Sequence, residues 1–399
     1  GEQAHAFQQS GSRVNQFSET VTKLVAGGKE IEAAKAEIYA EVAGNFDSFI
    51  AARPEGQPFC YWYGPTNVHR KWTKGSAKAL WRMDPEALKG KMPSFLPDVP
   101  EVREDLADYF GEIMAFDACI GVHLKKLEAM GELDNTLVVV SGDHGAPGFP
   151  HGKCNLYDFG THVTLAVRGA GTVAGRVVDD FVNLMDLAPT FLEAAHLTPP
   201  AVMTGRSLVP LLKSSQSGQI DPERNYVITG RERHVESARE GYLPYPQRAL
   251  RTADYLYILN FKPDRMPMGD AGKMDAGVTE LTENTHTSFA DMDSSPTKAW
   301  LIGERNNPQW KQQFDWAFAL RPEEELYAIG KDPFEVNNVA KDPDYANIRD
   351  QMRERLMAEL TKTQDPRVVN GGAFFETAPM AGPLPADVNK PKRAKGKKK

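Results

Sequence analysis

The chain has 399 residues, of which 41% are hydrophobic and 25% are charged, and its formal net charge is −7. Seven of the last ten residues are Lys or Arg, so the rest of the chain carries a charge of −14, which argues against a nucleic-acid-binding domain. No apolar run approaches the roughly 18 residues of a membrane-spanning helix, and three scattered cysteines are too few for a disulfide framework or a CxxC metal site.

The first 213 residues alternate helical patterns with short apolar runs that are typical of strands. In chain order the sequence predicts a helix over 14–51, a strand over 58–64, a helix over 100–131, strands over 135–143 and 162–169, and a helix over 179–197. The continuous β-branched run at 135–143 is typical of a strand that is covered on both faces in a parallel sheet. We therefore predict an α/β domain over residues 1–213, in which helices flank a mostly parallel sheet.

The pattern changes after the polar linker at 214–219. Strand-like runs and one amphipathic helix follow, at 224–233, 247–261, 323–333 and 343–363. These elements predict a smaller C-terminal α+β subdomain over residues 220–375, with an antiparallel sheet. Residues 263–297 form a long insertion that either reaches over a site or is an idle surface loop. Residues 376–399 are predicted to be a disordered basic tail.

A polar, glycine-rich loop begins where the strand at 135–143 ends. Asp143 closes the strand, and His144 and Gly145 follow it. A bound metal ion would remove the cost of burying that carboxylate, but two adjacent ligands do not complete a site, since Ca²⁺ takes about six to eight oxygens. Lys153 places a positive charge in the same loop, which favours an anion such as phosphate or sulfate held between Lys153 and the metal. The alternative is a capped turn with Lys153 on the surface.

Four segments carry a resemblance to a known family. They are LDNTLVVVSGDHGAPGFPHGKCNLYDFGTHVTLAVRG (133–169), PFCYWYGPTNVHRKW (58–72), LMDLAPTFLEAAHLTPPAVMTGRSLVPLL (184–212) and EELYAIGKDPFEVNNVAKDP (324–343). In content and order they resemble the type I sulfatases of the alkaline phosphatase superfamily, in which a strand ends in S-D-N-G or S-D-H-G and continues to G-K-x-x-x-Y-[DE]-x-G. The resemblance implies the α/β fold of that superfamily, hydrolysis of a sulfated carbohydrate, and a periplasmic or secreted location.

The resemblance also implies roles for single residues. Asp143 and His144 match the two metal ligands of the loop, Lys153 matches the lysine that contacts the sulfate, and His69 matches the histidine that serves the leaving-group oxygen. A cation with Lys153 would neutralise the sulfate oxygens, and an imidazole would act as the acid for the leaving group. The implied metal is Ca²⁺, with Mn²⁺ or Zn²⁺ as alternatives because His144 stands where many members have Asn.

A C-terminal segment resembles the part of sulfamidase-like and other glycan sulfatases that reaches the sugar. It reads TGRERHVESAREGYLPYPQRALRT and covers residues 229–252. Arg231, Arg233 and His234 are the candidates for contacts with a polyanionic saccharide, because guanidinium groups suit carboxylates and sulfates. The alternative is a structural network of arginines with Glu232 and Glu236.

Two features of the sulfatase family do not occur in the 399 residues. None of Cys60, Cys119 and Cys154 has the Pro and Arg spacing of the C/S-x-P-x-R formylglycine motif, so no nucleophile is assigned, and no Asp pair near the N-terminus completes the metal shell. We expect that the N-terminal portion of a longer sulfatase is missing, so that these residues alone hydrolyse sulfate esters poorly or not at all and expose apolar sheet edges. The alternatives are a catalytically inactive glycan-binding paralogue, and a phosphodiesterase or phosphonate hydrolase of the same superfamily.

Overall fold

The computed structural model describes residues 17–54, 56–65 and 68–377, and its N-terminal part is mainly helical. The first helices are α1 (Phe17–Ala26), α2 (Ile31–Ala52), α3 (Ser76–Trp81) and α4 (Pro100–Ala129). The helix predicted over 14–51 is two helices, because Gly27 and Gly28 follow α1 and Gly28 has a positive φ of 93°. The helix predicted from Pro100 is α4, which has Glu101 in its first turn and Gly131 shortly after its end.

The four helices share one apolar core, and the segment before α3 packs onto it. The buried core residues are Phe17, Val21, Ala34, Ile38, Val42, Leu80, Ala115 and Cys119. Residues 58–64 form neither helix nor strand within the described structure, so the strand predicted there is wrong. The aromatic run packs on helices and does not pair with a strand. Tyr61 packs edge-on against Phe46 of α2, and Tyr63 stacks on Phe116 of α4.

The strand predicted at 135–143 exists, but its pairing differs from the prediction. Strand β1 (Val138–Ser141) pairs antiparallel with β2 (Leu165–Arg168), so the parallel arrangement expected for this run is corrected. The β-branched run sets the strand but not its direction. Residues 142–164 connect β1 to β2 and include the short helix α5 (Asp158–Thr161). The parallel pairing that occurs within the described residues is one isolated bridge, between Val178 and Gly218.

The segment after β2 is less helical than the sequence predicts. Helix α6 (Leu187–Ala194) starts only after a short turn that Asn183 and Asp186 close as a capping box, and α7 (Val209–Lys213) follows. Residues 178–181 are not helical, and Asp179 and Phe181 donate backbone hydrogen bonds to Gly218 and Arg224. The helix predicted over 179–197 is therefore about half its expected length.

The C-terminal part contains the predicted antiparallel sheet. Its strands, in spatial order, are β3 (Tyr226–Arg231), β4 (Gln247–Thr252), β5 (Tyr255–Asn260) and β6 (Glu324–Ala328). Alternating residues face opposite sides of each strand. Leu250, Tyr257 and Leu326 pack against the long helix α11 (Ala346–Lys362) on one side. The α/β fold class and the antiparallel C-terminal sheet are thus confirmed, while the domain boundaries at 213 and 220 stay predictions.

The other side of this sheet packs against the loop that follows β1. Ala249, Leu256, Ile258 and Tyr327 form a buried cluster with Leu156 and Tyr157 of that loop. The Tyr157 hydroxyl also donates a 2.7 Å hydrogen bond to Glu325 of β6. The C-terminal sheet therefore supports the loop in which the predicted site residues lie.

The insertion at 263–297 folds into a compact unit. It contains α8 (Val278–Glu283) and packs through Met268, Phe289 and Met292 against α9 (Pro296–Gly303) and α10 (Lys311–Phe318). Lys298 of α9 is buried, and its ammonium donates hydrogen bonds to the backbone carbonyls of Thr285, Phe289 and Met292. Three carbonyls on one buried cation fix the course of this segment.

The chain ends, as far as the structure describes it, in α12 (Pro366–Val369) and α13 (Ala373–Glu376). Most of the tail predicted over 376–399 lies outside the described residues, but Glu376 is helical and pairs with Arg265 and Arg367. In the part of the chain that the structure describes, no helix has both the length and the apolar character needed to cross a bilayer.

Candidate active site

The loop after β1 is folded back on itself by backbone hydrogen bonds. Gly145 N donates to Gly160 O at 2.9 Å, and Lys153 N donates to Ala146 O at 3.0 Å. A Cβ on Gly145 would lie 1.8 Å from the carbonyl oxygen of Phe159, so only glycine permits this approach. These contacts place the backbone of Lys153 next to Gly145 and Ala146, which follow His144.

Asp143 and His144 lie against each other at the end of β1. The Asp143 side chain is 87% exposed, and one of its oxygens is 3.5 Å from His144 Nε2. His144 Nδ1 donates to the carbonyl of Gly145, so Nε2 is the ring nitrogen that could bind a metal ion. A carboxylate and an imidazole nitrogen side by side are a donor pair that suits a divalent cation. The described residues contain no group of three or more His, Cys, Asp or Glu that could hold a metal, so this donor set is incomplete.

His69 and Lys153 meet although 84 positions separate them in the sequence. Lys153 Nζ is 3.0 Å from His69 Nε2, and His69 Nδ1 is 2.8 Å from the carbonyl oxygen of Arg70. A carbonyl only accepts, so Nδ1 carries the proton and Nε2 accepts from the ammonium. No hydrogen bond or ion pair among the described residues joins this pair to Asp143 or His144, so the anion predicted to lie between them stays a prediction.

An aspartate from the C-terminal insertion completes the contact between His69 and Lys153. Asp293 Oδ2 is 3.2 Å from Lys153 Nζ, and Asp293 Oδ1 is 4.0 Å from His69 Nε2. The side chains of Lys153 and Asp293 are only 11% and 14% exposed. The sequence reasoning missed Asp293. The one signal was the insertion itself, which was expected either to reach a site or to be idle, and it reaches the His69–Lys153 pair.

Arg70 fixes His69 in place from the neighbouring position. Its guanidinium donates two hydrogen bonds to Asp105 of α4, at 2.7 and 2.9 Å, and a third to the carbonyl of Pro147. The side chain also lies over the Trp72 ring, 3.8 Å from its centroid. Gly148 has a φ of 76°, and a Cβ there would lie 2.3 Å from Arg70 Nε. These contacts join the loop of His69 to the loop of Lys153.

The three predicted saccharide contacts lie in two different places. Arg231 donates to Asp291 at 2.5 Å and to the carbonyl of Cys154 at 2.7 Å, and His234 Nδ1 is 3.7 Å from Asp291. Arg233 instead donates to the backbone carbonyls of Tyr242 and Phe375. The structure therefore brings Arg231 and His234 next to the Lys153 loop and holds Arg233 by other contacts. Their binding of a saccharide stays a prediction.

The structural network weighed as the alternative is present, but with other arginines. Glu232 pairs with Arg248 at 2.9 Å and with Arg367 of α12 at 2.5 Å. Arg248 and Arg367 pair further with Asp365 and Glu376. Glu232 thus ties the end of β3 to the C-terminal helices.

Comparison with known proteins shows what the chain is similar to. Residues 14–197 match the family model described as Sulfatase. The chain therefore contains a region that is similar to the sulfatases. Curated sulfatases also match along the chain: an ulvan-active sulfatase of Formosa agariphila is 25% identical over 309 residues, 76% of this chain and 45% of that protein. Human N-sulphoglucosamine sulphohydrolase is 28% identical over 308 residues, 73% of this chain and 55% of that protein.

A solved structure supports the sulfatase fold. The yidJ protein of Bacteroides fragilis, described as a sulfatase candidate, aligns with a TM-score of 0.52 at 16% identity, over 86% of this chain and 60% of that chain. At this identity the likeness concerns the fold alone. The present chain spans about half the length of the curated sulfatases that it matches.

The stability of the protein should depend on pH through His234. The hydrogen bond to Asp291, followed by that to Cys154, raises the pKa of His234 to about 9. A raised pKa means that the stabilisation is fully present below the unfolded value of about 6.5 and is lost as the pH rises through about 9. We expect the difference in free energy of unfolding between wild type and His234→Gln to shrink over this range, as measured by urea unfolding at several pH values.

The prediction compares wild type with His234→Gln because the nearby Lys298 changes the free energy of unfolding with pH in the opposite direction. Burial lowers the pKa of Lys298 to about 7, so its effect favours the folded state increasingly as the pH rises above that value. This contribution is common to wild type and His234→Gln and cancels in the difference. A difference that stays constant from pH 6 to pH 10 would contradict the assignment to His234.

Proposed function

We propose that the protein is a metal-dependent sulfuric ester hydrolase that acts on a sulfated carbohydrate. The observation that carries the proposal is the 3.0 Å contact between Lys153 Nζ and His69 Nε2, which unites two residues from distant segments of a chain that is similar to the sulfatases. An ammonium group neutralises sulfate oxygens, and an adjacent imidazole supplies a proton to the departing oxygen. In this proposal Lys153 binds the sulfate and His69 is the general acid.

Asp143 and His144 would hold the divalent cation, with Ca²⁺ as the first choice and Mn²⁺ or Zn²⁺ as alternatives. When bound, the cation would add positive charge against the sulfate oxygens. The exposed carboxylate of Asp143 and its 3.5 Å distance from His144 Nε2 support this role. The remaining ligands, and a nucleophile in a C/S-x-P-x-R motif, have no match in this sequence. We therefore propose that these 399 residues alone turn over sulfate esters weakly or not at all.

The proposed substrate class rests on the relatives and on positive charge beside the Lys153 loop. One relative is named for ulvan and another for N-sulphoglucosamine. His234, with its raised pKa and partly exposed ring, is cationic at neutral pH and contacts Cys154, the neighbour of Lys153. A second cation at this position suits a saccharide that carries more than one anionic group. Arg231 and Arg233 would then support the segment that carries His234.

The test replaces Lys153 by Ala in the longest natural reading frame that contains these residues. We expect kcat/KM for 4-nitrophenyl sulfate and for glucosamine sulfates to fall about 100-fold, because one positioned charge on the reacting oxygens is lost. Lys311→Ala is the matched control, since Lys311 also pairs with an aspartate but lies exposed on α10.

Three results would contradict the proposal or a part of it. Hydrolysis of phosphonate or phosphate esters in place of sulfate esters would identify the alternative hydrolase of the same superfamily. Saccharide binding without turnover in the longest reading frame would identify the inactive glycan-binding protein. Equal activity of Lys153→Ala and Lys311→Ala would remove Lys153 from the reaction.

A further inference from the structure

Asp293 lies where the proposed reaction would take place, although nothing in the sequence pattern assigns it a role. We propose that Asp293 is a positioning residue that acts through His69 and Lys153 and makes protonation of the leaving group efficient. The inference rests on the proposed function and deepens it, because it ties the C-terminal insertion to the chemistry of the N-terminal domain. The evidence is the geometry of the three side chains and of the segment that holds Asp293.

The contact between Asp293 and Lys153 is an ion pair. Asp293 Oδ2 is buried and has no hydrogen-bond donor among the described residues, although the Lys153 ammonium lies 3.2 Å away. A buried carboxylate oxygen without a directed donor is costly unless a cation offsets it. The ammonium of Lys153 provides that offset and is itself held between Asp293 and His69 Nε2. The carboxylate therefore sets the position of Lys153.

The segment that carries Asp293 is fixed on both sides of the site. Ser295 Oγ donates a 2.7 Å hydrogen bond to the carbonyl of Gly148, which lies in the Lys153 loop. Thr297 Oγ1 donates a 2.6 Å bond to Asp105, the same carboxylate that holds the guanidinium next to His69. Asp293 is thus tied independently to the loop of each partner, as a preorganised site requires.

The proposed hydrolysis gives this arrangement a chemical purpose. Water is added across the ester: His69 Nε2 first takes a proton from solvent, the S–O bond to the leaving group breaks with its electron pair on the leaving oxygen, and His69 donates that proton to this oxygen. Sulfur gains the oxygen of water as hydrogen sulfate, and the second proton of water is released to solvent. Before this transfer the protonated imidazole and the Lys153 ammonium are neighbouring cations, which repel each other. The Asp293 carboxylate, close to both, offsets that repulsion while Lys153 turns to the sulfate. After the transfer, neutral His69 again accepts from Lys153.

The test compares two classes of sulfate ester in Asp293→Asn, introduced into the longest natural reading frame that contains these residues. A sugar sulfate has an alkoxide leaving group that requires a proton, whereas the oxygen of 4-nitrophenyl sulfate leaves without one. We expect kcat to fall about 10-fold for the sugar sulfate and less than about 3-fold for the aryl sulfate, because only general acid catalysis is weakened. KM should change little, and Asp293→Glu should recover part of the lost kcat. Asp315→Asn, which breaks an exposed pair with Lys311, is the matched control.

An equal loss of kcat for both esters would overturn the inference, because a general structural defect does not distinguish leaving groups. A second measurement does not depend on activity. Trace acetylation of Lys153, read by mass spectrometry on the folded protein, should rise several-fold in Asp293→Asn and stay unchanged in Asp315→Asn. Unchanged labelling of Lys153 in a folded Asp293→Asn would also overturn the inference. A longest reading frame that carries the wild-type residues but has no sulfatase activity would overturn the proposed function alone, and the labelling then decides whether Asp293 positions Lys153.

Discussion

Asp291→Ala should lower the free energy of unfolding by about 3–5 kcal/mol, because it leaves two buried arginines without their counterion. Asp291 is completely buried and accepts from Arg231 at 2.5 Å and from Arg239 at 2.8 Å. Burial alone would raise the pKa of Asp291, but the charge of Arg231, the hydrogen bond from His234 and the charge of Arg239 hold it well below its usual range. Chemical denaturation at pH 7 measures the loss.

The matched control for this prediction is Asp275→Ala. Asp275 also pairs with an arginine, Arg305, but it is almost fully exposed, so its replacement should cost less than about 1 kcal/mol. Because the pKa of Asp291 is lowered in the folded state, its contribution is present above the unfolded value of about 3.9 and declines as the pH falls below it. Equal stabilities of the two variants at pH 7 would show that the buried arginines find other partners.

Asp105→Ala should have a similar effect on stability and should also disorganise the proposed active site. The Asp105 carboxylate is buried and accepts two hydrogen bonds from Arg70 and one from the hydroxyl of Thr297. Removal leaves a buried guanidinium unpaired, for which we expect a loss of about 3–5 kcal/mol in the free energy of unfolding. Arg70 is next to His69 and Thr297 is close to Asp293, so both segments lose a common anchor.

The adjacent residue on the same helix provides the control for Asp105. Glu104 forms a 3.3 Å pair with Lys74 that is open to solvent, and Glu104→Ala should change stability by less than about 1 kcal/mol. The second readout is the acetylation rate of Lys153, which should increase in Asp105→Ala and not in Glu104→Ala. If Asp105→Ala unfolds like wild type, Asp105 is not the anchor that the contacts indicate.

Residue patterns predicted the positions of helices and strands better than they predicted which strands pair and which surfaces pack together. The 3.6-residue periodicity and the terminal Pro100 and Gly131 predicted α4. The run at 247–261 was predicted as one strand, whereas the structure divides it into β4 and β5. The direction of β1 was wrong because a β-branched run has the same composition in either pairing. The segment at 58–64 was also wrong, because aromatic residues pack as well on helices as in sheets.

The predictable part of the site was the part with local motifs. The resemblance indicated His69 and Lys153, and the structure brings them into contact. Asp293 and Asp291 could not be predicted, because they lie in an irregular segment whose only periodic feature is the short α8. The saccharide role of Arg231 could not be judged from sequence either, since its partners Asp291 and Cys154 are distant in the chain.

The support of the Lys153 loop by the C-terminal sheet has a consequence for synthesis of the protein. Leu156 and Tyr157 are buried against β4, β5 and β6, and Tyr157 bonds to Glu325. A nascent chain on the ribosome has the full set of these partners only when residues up to 328 have emerged. The loop therefore reaches its final conformation late in translation, and partial chains that end before β6 should lack an ordered site however complete their N-terminal helices are.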